Sequence, residues 1–293
     1  MIPEEYLRRI RQIDVKTRHL ADDLFVGEYH SVFKGRGMDF EEVREYSDGD
    51  DVRQIHWNVT ARTGVPHVKK FREERELSLD LMIDISASGE LASGTQSKRE
   101  LAAELGACLA YSAIRNRDRV GLLLFSSQIE KRVVPTKGRD HILRLIRDIL
   151  FTPPTHHRTA LRPALEYFYH VQLRRSVLVL ISDFLDEGYA KSLRLVAQKH
   201  DVIPIVIEDA RERELPDAGW IILEDAETGE VVEVDTSDPR VRATYAAEYA
   251  QRRAARAAVF KSCGVTALEI QTDQPYVQPL QRFFDRRIRT RGA

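Results

Sequence analysis

The run Leu79-Asp80-Leu81-Met82-Ile83-Asp84-Ile85-Ser86-Ala87-Ser88-Gly89 constrains this chain more than any other segment. It is short and apolar, as a strand buried on both faces requires, and it ends in one acid and two alternate hydroxyls. The carboxyl end of such a strand opens on the crevice where α/β sheets bind ligands. Asp84, Ser86 and Ser88 stand at positions i, i+2 and i+4, so an extended turn brings them to one point. Their donors are all oxygen, which suits a hard cation. The segment reads as a holder for a divalent ion at the top of a sheet, with Mg²⁺ first and Mn²⁺ or Ca²⁺ as alternatives.

The remaining pattern supplies such a sheet. Apolar strands are predicted at 78–84, 120–125, 176–181, 202–207 and 266–270, with a short antiparallel neighbour at 128–134. Helices are predicted between them at 97–116, 139–150, 160–171, 188–199, 239–262 and 275–289. In the first of these, Gly106 and several alanines allow close approach to the sheet. This alternation implies an α/β fold, a doubly wound and mostly parallel sheet with right-handed crossovers. Trp220–Leu223 and Val231–Val234 read as a hairpin inserted at about 211–238. Upstream, Leu7, Ile10, Ile13, Leu20 and Leu24 lie near one stripe of a helix over 3–24, and residues 25–75 read as short strands and turns around Gly35-Arg36-Gly37 and Ser47-Asp48-Gly49-Asp50-Asp51. The expected organisation is an N-terminal helix and β-rich extension over 1–76, then the sheet domain over 77–293.

Composition narrows the class. A net charge of −1 selects neither nucleic acid nor membrane. Cys108 and Cys263 are the only cysteines, which argues against a disulfide scaffold. No apolar run approaches the roughly 20 residues that span a bilayer, and Met1–Tyr6 lacks the layout of a secretory signal. The expected location is the cytoplasm, without direct insertion into a membrane. Phosphate loops and zinc motifs are missing from the sequence, and Gly35-x-Gly37 lacks the frame of a dinucleotide fingerprint. The arginines near the C-terminus, Arg252, Arg253 and Arg256 among them, read as a solvated helix face.

Two further segments end where sheet crevices lie. Asp183 follows the strand at 176–181, and Thr159 opens the helix at 160–171, where it also reads as an N-cap. Together with the first turn they offer three hydroxyls and two carboxylates. Neutral hydroxyls around an ion, with carboxylates reached partly through water, leave it under-neutralised, so an acidic side chain from a partner would complete the site.

That order of residues resembles a known arrangement. Asp-x-Ser-x-Ser, then Thr, then Ser-Asp is similar to the metal-ion-dependent adhesion site of von Willebrand factor A domains. The preceding segment, Gly35-Arg36-Gly37-Met38-Asp39-Phe40-Glu41-Glu42-Val43-Arg44-Glu45-Tyr46, then Gly49-Asp50-Asp51-Val52-Arg53-Gln54-Ile55-His56-Trp57-Asn58 and Ala61-Arg62, resembles the bacterial "domain of unknown function 58" family. The resemblance implies an A-domain-like fold and Asp84, Ser86, Ser88, Thr159 and Asp183 as metal ligands. It also implies partners: a MoxR-type AAA+ ATPase and membrane-anchored A-domain proteins, in chaperone-like assembly or maturation of a client.

The expectation is a non-enzymatic, metal-dependent interaction module. One rival is a Mg²⁺-dependent hydrolase or phosphatase with Asp84 as nucleophile, although Ser86 stands where aspartyl-phosphate enzymes need a second acid. The other is a metal-free scaffold of the same fold. Arg44, Glu45, Asp50, Asp51, Arg53, His56, Trp57 and Arg62 read as a structural network, with turn acids pairing with arginines and Trp57 covering a core edge, and an interaction surface is the alternative.

Overall fold

A stripe of small and apolar residues opens the chain. The computed structural model describes residues 4–24, 38–73, 77–90, 94 and 96–292. Helix α1 (Glu4–Leu24) buries Ile10, Ile13, Asp14, Thr17 and Ala21, while Leu7 is exposed. The buried stripe therefore carries an acid in place of the expected Leu7. Asp14 is tolerated there because Tyr111 donates to it and Arg139 pairs with it at 2.8 Å.

Strands β1 (Met38–Glu45) and β2 (His67–Glu73) pair antiparallel, with a short helix α2 (Trp57–Thr63) between them. The sequence reading missed this helix, which is too short to show a period. Arg44 makes a two-pronged bond to Asp50 at 2.7 and 2.8 Å, as the network reading expected. Trp57 is 69% exposed and covers no core edge. The Gly35-Arg36-Gly37 turn lies outside the described residues.

The main body follows. In chain order it comprises β3 (Ser78–Asp84), α3 (Lys98–Arg115), β4 (Arg119–Phe125), β5 (Ile129–Thr136), α4 (Arg139–Phe151), α5 (Leu161–Val171), β6 (Val177–Ser182), α6 (Ala190–Lys199) and β7 (Asp201–Glu208). A single turn α7 (Ala210–Arg213) leads into a hairpin of β8 (Trp220–Glu224) and β9 (Val231–Asp235), then α8 (Pro239–Cys263), β10 (Leu268–Gln271) and α9 (Val277–Gly292). The start of α3 is set by a capping box, in which Ser97 and Glu100 bond each other's backbone N–H.

The six-stranded sheet has the order β10-β7-β6-β3-β4-β5, parallel throughout except for β5 at its edge. It is flanked by helices and is Rossmann-like. On one side lie Leu81, Ile83, Gly106 and Ile149; a Cβ on Gly106 would sit 3.3 Å from Leu81, so its absence lets α3 lie close to the strand. On the other side Met82, Phe125, Leu178 and Leu180 pack against Leu165, Phe168, Leu193 and Phe260. Two-sided coverage explains why β6 reads as an unbroken apolar run and why β3 is apolar from Leu81 to Ile83.

Helix α1 packs on α3 and α4, so it belongs with the sheet. The described residues between 38 and 77 form a second compact unit of their own. A division at 76/77 thus parts α1 from the helices that bury its apolar stripe.

Strand order reverses between β3 and β6: one path leads outward through β4, the other through β7. Such a switch point leaves a crevice at the carboxyl ends of the two central strands. Asp84 and Ser182 end those two strands.

Candidate metal and adhesion site

Asp84 is fixed from two sides. Its Oδ1 accepts the backbone N–H of Ser86 at 2.9 Å, and its Oδ2 accepts the hydroxyl of Ser182 at 2.8 Å. The first bond closes the turn after β3, and the second ties that turn to β6. A single helical turn over Ala87–Glu90 then brings Ser88 back, so that its Oγ lies 3.1 Å from Ser86 Oγ.

The loop before α5 is clamped onto this turn by backbone bonds. Ala87 N–H donates to His157 O, and Ala160 N–H donates to Ser126 O, each at 3.0 Å. Thr159 is thereby delivered to the crevice, with its Oγ1 2.8 Å from Ser86 Oγ. The same oxygen lies 2.8 Å from Glu227 Oε1, in the turn between β8 and β9. A carboxylate can only accept, so Thr159 gives its hydrogen to Glu227 and receives one from Ser86. The expectation that Thr159 caps α5 is overturned. Ala160 holds the N-cap position without a side-chain bond, and Asp186 Oδ2 accepts the Leu161 N–H at 2.8 Å instead.

Asp183 follows β6 and is buried. Its Oδ1 accepts the Leu185 N–H at 3.2 Å, and its Oδ2 accepts from Lys98 Nζ at 3.1 Å. Lys98 also pairs with Glu212. The backbone carbonyl of Asp183 accepts from Arg256 at 3.0 Å, and Arg256 pairs with Glu208 at 2.6 Å. Arg256 is buried, so the solvated face expected for this arginine is corrected: α8 turns it inward toward β7. A cavity of about 20 Å³ between Asp84, Ser88, Lys98, Ser182 and Asp183 leaves room for one water-sized occupant.

Electrostatics follow from burial. Burial, then the nearby charge of Asp183, pushes the Asp84 carboxyl up to about 7. Burial pulls Lys98 down, but the charges of Asp183 and Glu212 more than offset it, and the ammonium stays protonated. Burial raises Glu212, partly offset by Lys98.

The donors can be tested against a hard ion. Neighbouring ligands on an octahedron with metal–oxygen distances near 2.1 Å stand about 3 Å apart. The spacings Ser88–Ser86, Ser86–Thr159 and Thr159–Glu227 are 3.1, 2.8 and 2.8 Å, a ladder of oxygens that fits that edge length. The three hydroxyls are thus spaced as neighbouring ligands of such an ion would be, with Asp84 bonded to the Ser86 N–H beside them, while Asp183 is already held by an ammonium. Among the described residues no group of three or more His, Cys, Asp or Glu is placed to hold a metal, so any site must draw on hydroxyls.

Four participants escaped the sequence reading: Ser182, Lys98, Arg256 and Glu227. Ser182 sat beside the chosen Asp183, where its hydroxyl was a visible signal. The other three reach the crevice from α3, α8 and the hairpin, with no local motif to mark them.

A Rossmann-like sheet with a hydroxyl- and acid-lined crevice at its switch point defines the class of this protein. The chain belongs to the family described as "Protein of unknown function DUF58", which matches residues 42–255. It is 34% identical over 287 residues to an uncharacterised protein of Mycobacterium tuberculosis, covering 97% of this chain and 90% of that one, and to the same extent to one of Mycobacterium bovis. Among solved structures, an aerotolerance-related membrane protein of Bacteroides fragilis is 16% identical, with a TM-score of 0.47 over 73% of this chain and 99% of that one. The BatB protein of Bacteroides thetaiotaomicron is 15% identical, with a TM-score of 0.46 over 73% and 98%. Among the described residues no helix is long and apolar enough to cross a membrane.

Proposed function

We propose that this protein is a non-enzymatic, metal-dependent interaction module of the von Willebrand factor A type. Asp84, Ser86, Ser88 and Thr159 would hold a divalent cation, Mg²⁺ first, with Asp183 behind them. The bound ion would supply positive charge for an acidic side chain of a partner. A MoxR-type AAA+ ATPase is the partner class, taken from the family resemblance, and chaperone-like work on a client is the role. The observation that carries this reading is the 2.8 Å approach of Thr159 Oγ1 to Ser86 Oγ across 73 residues of chain. Packing alone does not call for hydroxyls from two loops at one crevice.

The hydrolase reading is weaker on the same geometry. Ser86, at the crevice beside Asp84, stands where aspartyl-phosphate enzymes need a second acid, and its hydroxyl is bonded to Thr159. The metal-free scaffold has one observation in its favour: Lys98 brings a positive charge of the chain's own to Asp183.

Calorimetric titration with Mn²⁺ separates the metal-binding readings from the scaffold, and phosphate release from generic esters that vanishes in Asp84→Asn would mark the hydrolase. Wild type should bind, and Asp84→Ala and Ser86→Ala should each lose at least about tenfold in affinity. A Mg²⁺-dependent pull-down of a MoxR-type ATPase, abolished by chelator, would extend the reading to the partner. Failure of wild type to bind either ion at millimolar concentration would leave only the scaffold.

A further inference from the structure

We infer that Glu227 is the chain's own acid for the crevice, standing where a partner's carboxylate would otherwise enter. The inference rests on the metal reading above and adds what closes the site in the free protein.

The hairpin is built to aim this one side chain. Its base is locked by Thr236, which is fully buried and donates to Gly219 O from both its N–H and its hydroxyl, at 2.8 and 2.7 Å. Its tip is shaped by Asp225, whose Oδ1 accepts the N–H groups of Glu227 and Thr228 at 2.8 and 3.2 Å. Gly229, with φ of 71°, closes the turn by donating to Asp225 O at 2.7 Å. The Asp225 carboxylate is thus spent on the turn. Glu224 and Glu230 face solvent, and from 224 to 230 only Glu227 is half-buried.

Ordinary core packing does not explain that half-burial. One face of the strand behind it remains open, with Trp220 72% and Ile222 69% exposed, while Ile221 and Leu223 on the other face are half-buried. What Glu227 reaches is the end of the oxygen ladder, Thr159 Oγ1 at 2.8 Å. A carboxylate on the Thr159 hydroxyl, which is itself bonded to Ser86, supplies the negative charge that the hydroxyls lack. A foreign acid must then displace Glu227, and the hairpin becomes the gate that any partner has to lift.

The test uses the full chain, Mn²⁺ as the ion and acetate as the smallest foreign carboxylate. Wild type should bind Mn²⁺ with an affinity that tens of millimolar acetate does not change. Glu227→Ala should bind Mn²⁺ about tenfold more weakly, and acetate should recover much of the loss. Glu227→Gln keeps the hydrogen bond to Thr159 without the charge, and should show the same acetate response. The melting temperatures of both variants without metal establish that the fold is retained. Wild-type-like Mn²⁺ affinity in Glu227→Ala, or no acetate response, overturns this inference and leaves the metal reading standing. Absence of Mn²⁺ binding in wild type overturns both.

Discussion

Lys98 holds its ammonium 3.1 Å from Asp183 Oδ2, with both side chains only 5% exposed, and Glu212 completes the group. Removing one partner of a buried ion pair costs about 3–5 kcal/mol, because the other charge is left uncompensated. Lys98→Met keeps the length and the apolar stem but strands two acids. It should lose stability of about that size in urea denaturation. The double variant Lys98→Met/Asp183→Asn should lose less than the sum of the single changes. Additive losses would mean that the pair is not coupled in solution.

Asp80 sets up a pH dependence within the sheet. It is 7% exposed, and among the described residues its Oδ2 has no hydrogen-bond partner. Burial raises its carboxyl from 3.8 to about 6. The folded state therefore holds the proton longer than the unfolded chain does. Stability should fall as pH rises from about 4 to about 6, and the full penalty should persist above that window. Asp80→Asn has no charge to desolvate. Its advantage over wild type should be near zero at pH 4 and grow to at most about 3 kcal/mol at pH 7. Denaturant midpoints across that range would check it, and a gap that does not change with pH would refute it.

Gly121 is coupled to the same acid. A Cβ there would lie 2.5 Å from Asp80 Oδ1 and 2.9 Å from Pro135 Cγ, closer than real contacts allow. Overpacking of this kind costs about 1–3 kcal/mol. Gly121→Ala should lower the melting temperature accordingly. In an Asp80→Ala background part of that cost should disappear, since one of the two clashes is gone.

Which features were legible from sequence depends on the range of the interaction that carries them. Strand β6 is apolar up to Ser182, and β3 apart from Asp80 and its ends, because helices cover both faces, and that pattern is local. Asp84, Ser86 and Ser88 were readable because one turn of chain joins them. Thr159 could be placed at the crevice by chain order, and only the cap role also read for its hydroxyl fails, because Asp186 satisfies the Leu161 N–H instead. Lys98, Arg256 and Glu227 meet their site partners across 85, 73 and 68 residues, and nothing local distinguishes them from surface charges. Arg256 illustrates the cost of that ambiguity, since an arginine-rich helix reads as solvated until β7 is seen to place Glu208 beneath it.

Thr159 permits a test that separates its two roles. If it only capped α5, Thr159→Val would cost the usual 1 kcal/mol or so of a lost cap, and Asp186→Ala would cost little. The geometry requires the reverse. Asp186→Ala should lower stability by about 1 kcal/mol with Mn²⁺ binding retained. Thr159→Val removes the link between Ser86 and Glu227 while leaving the start of α5 untouched, so its main loss should fall on Mn²⁺ affinity, with Thr159→Ser restoring it. Urea denaturation and Mn²⁺ titration of the three variants, run in parallel, decide the matter. Equal Mn²⁺ affinity in Thr159→Val and wild type would remove Thr159 from the site and leave its hydroxyl as a bracket between the hairpin and the β3 turn.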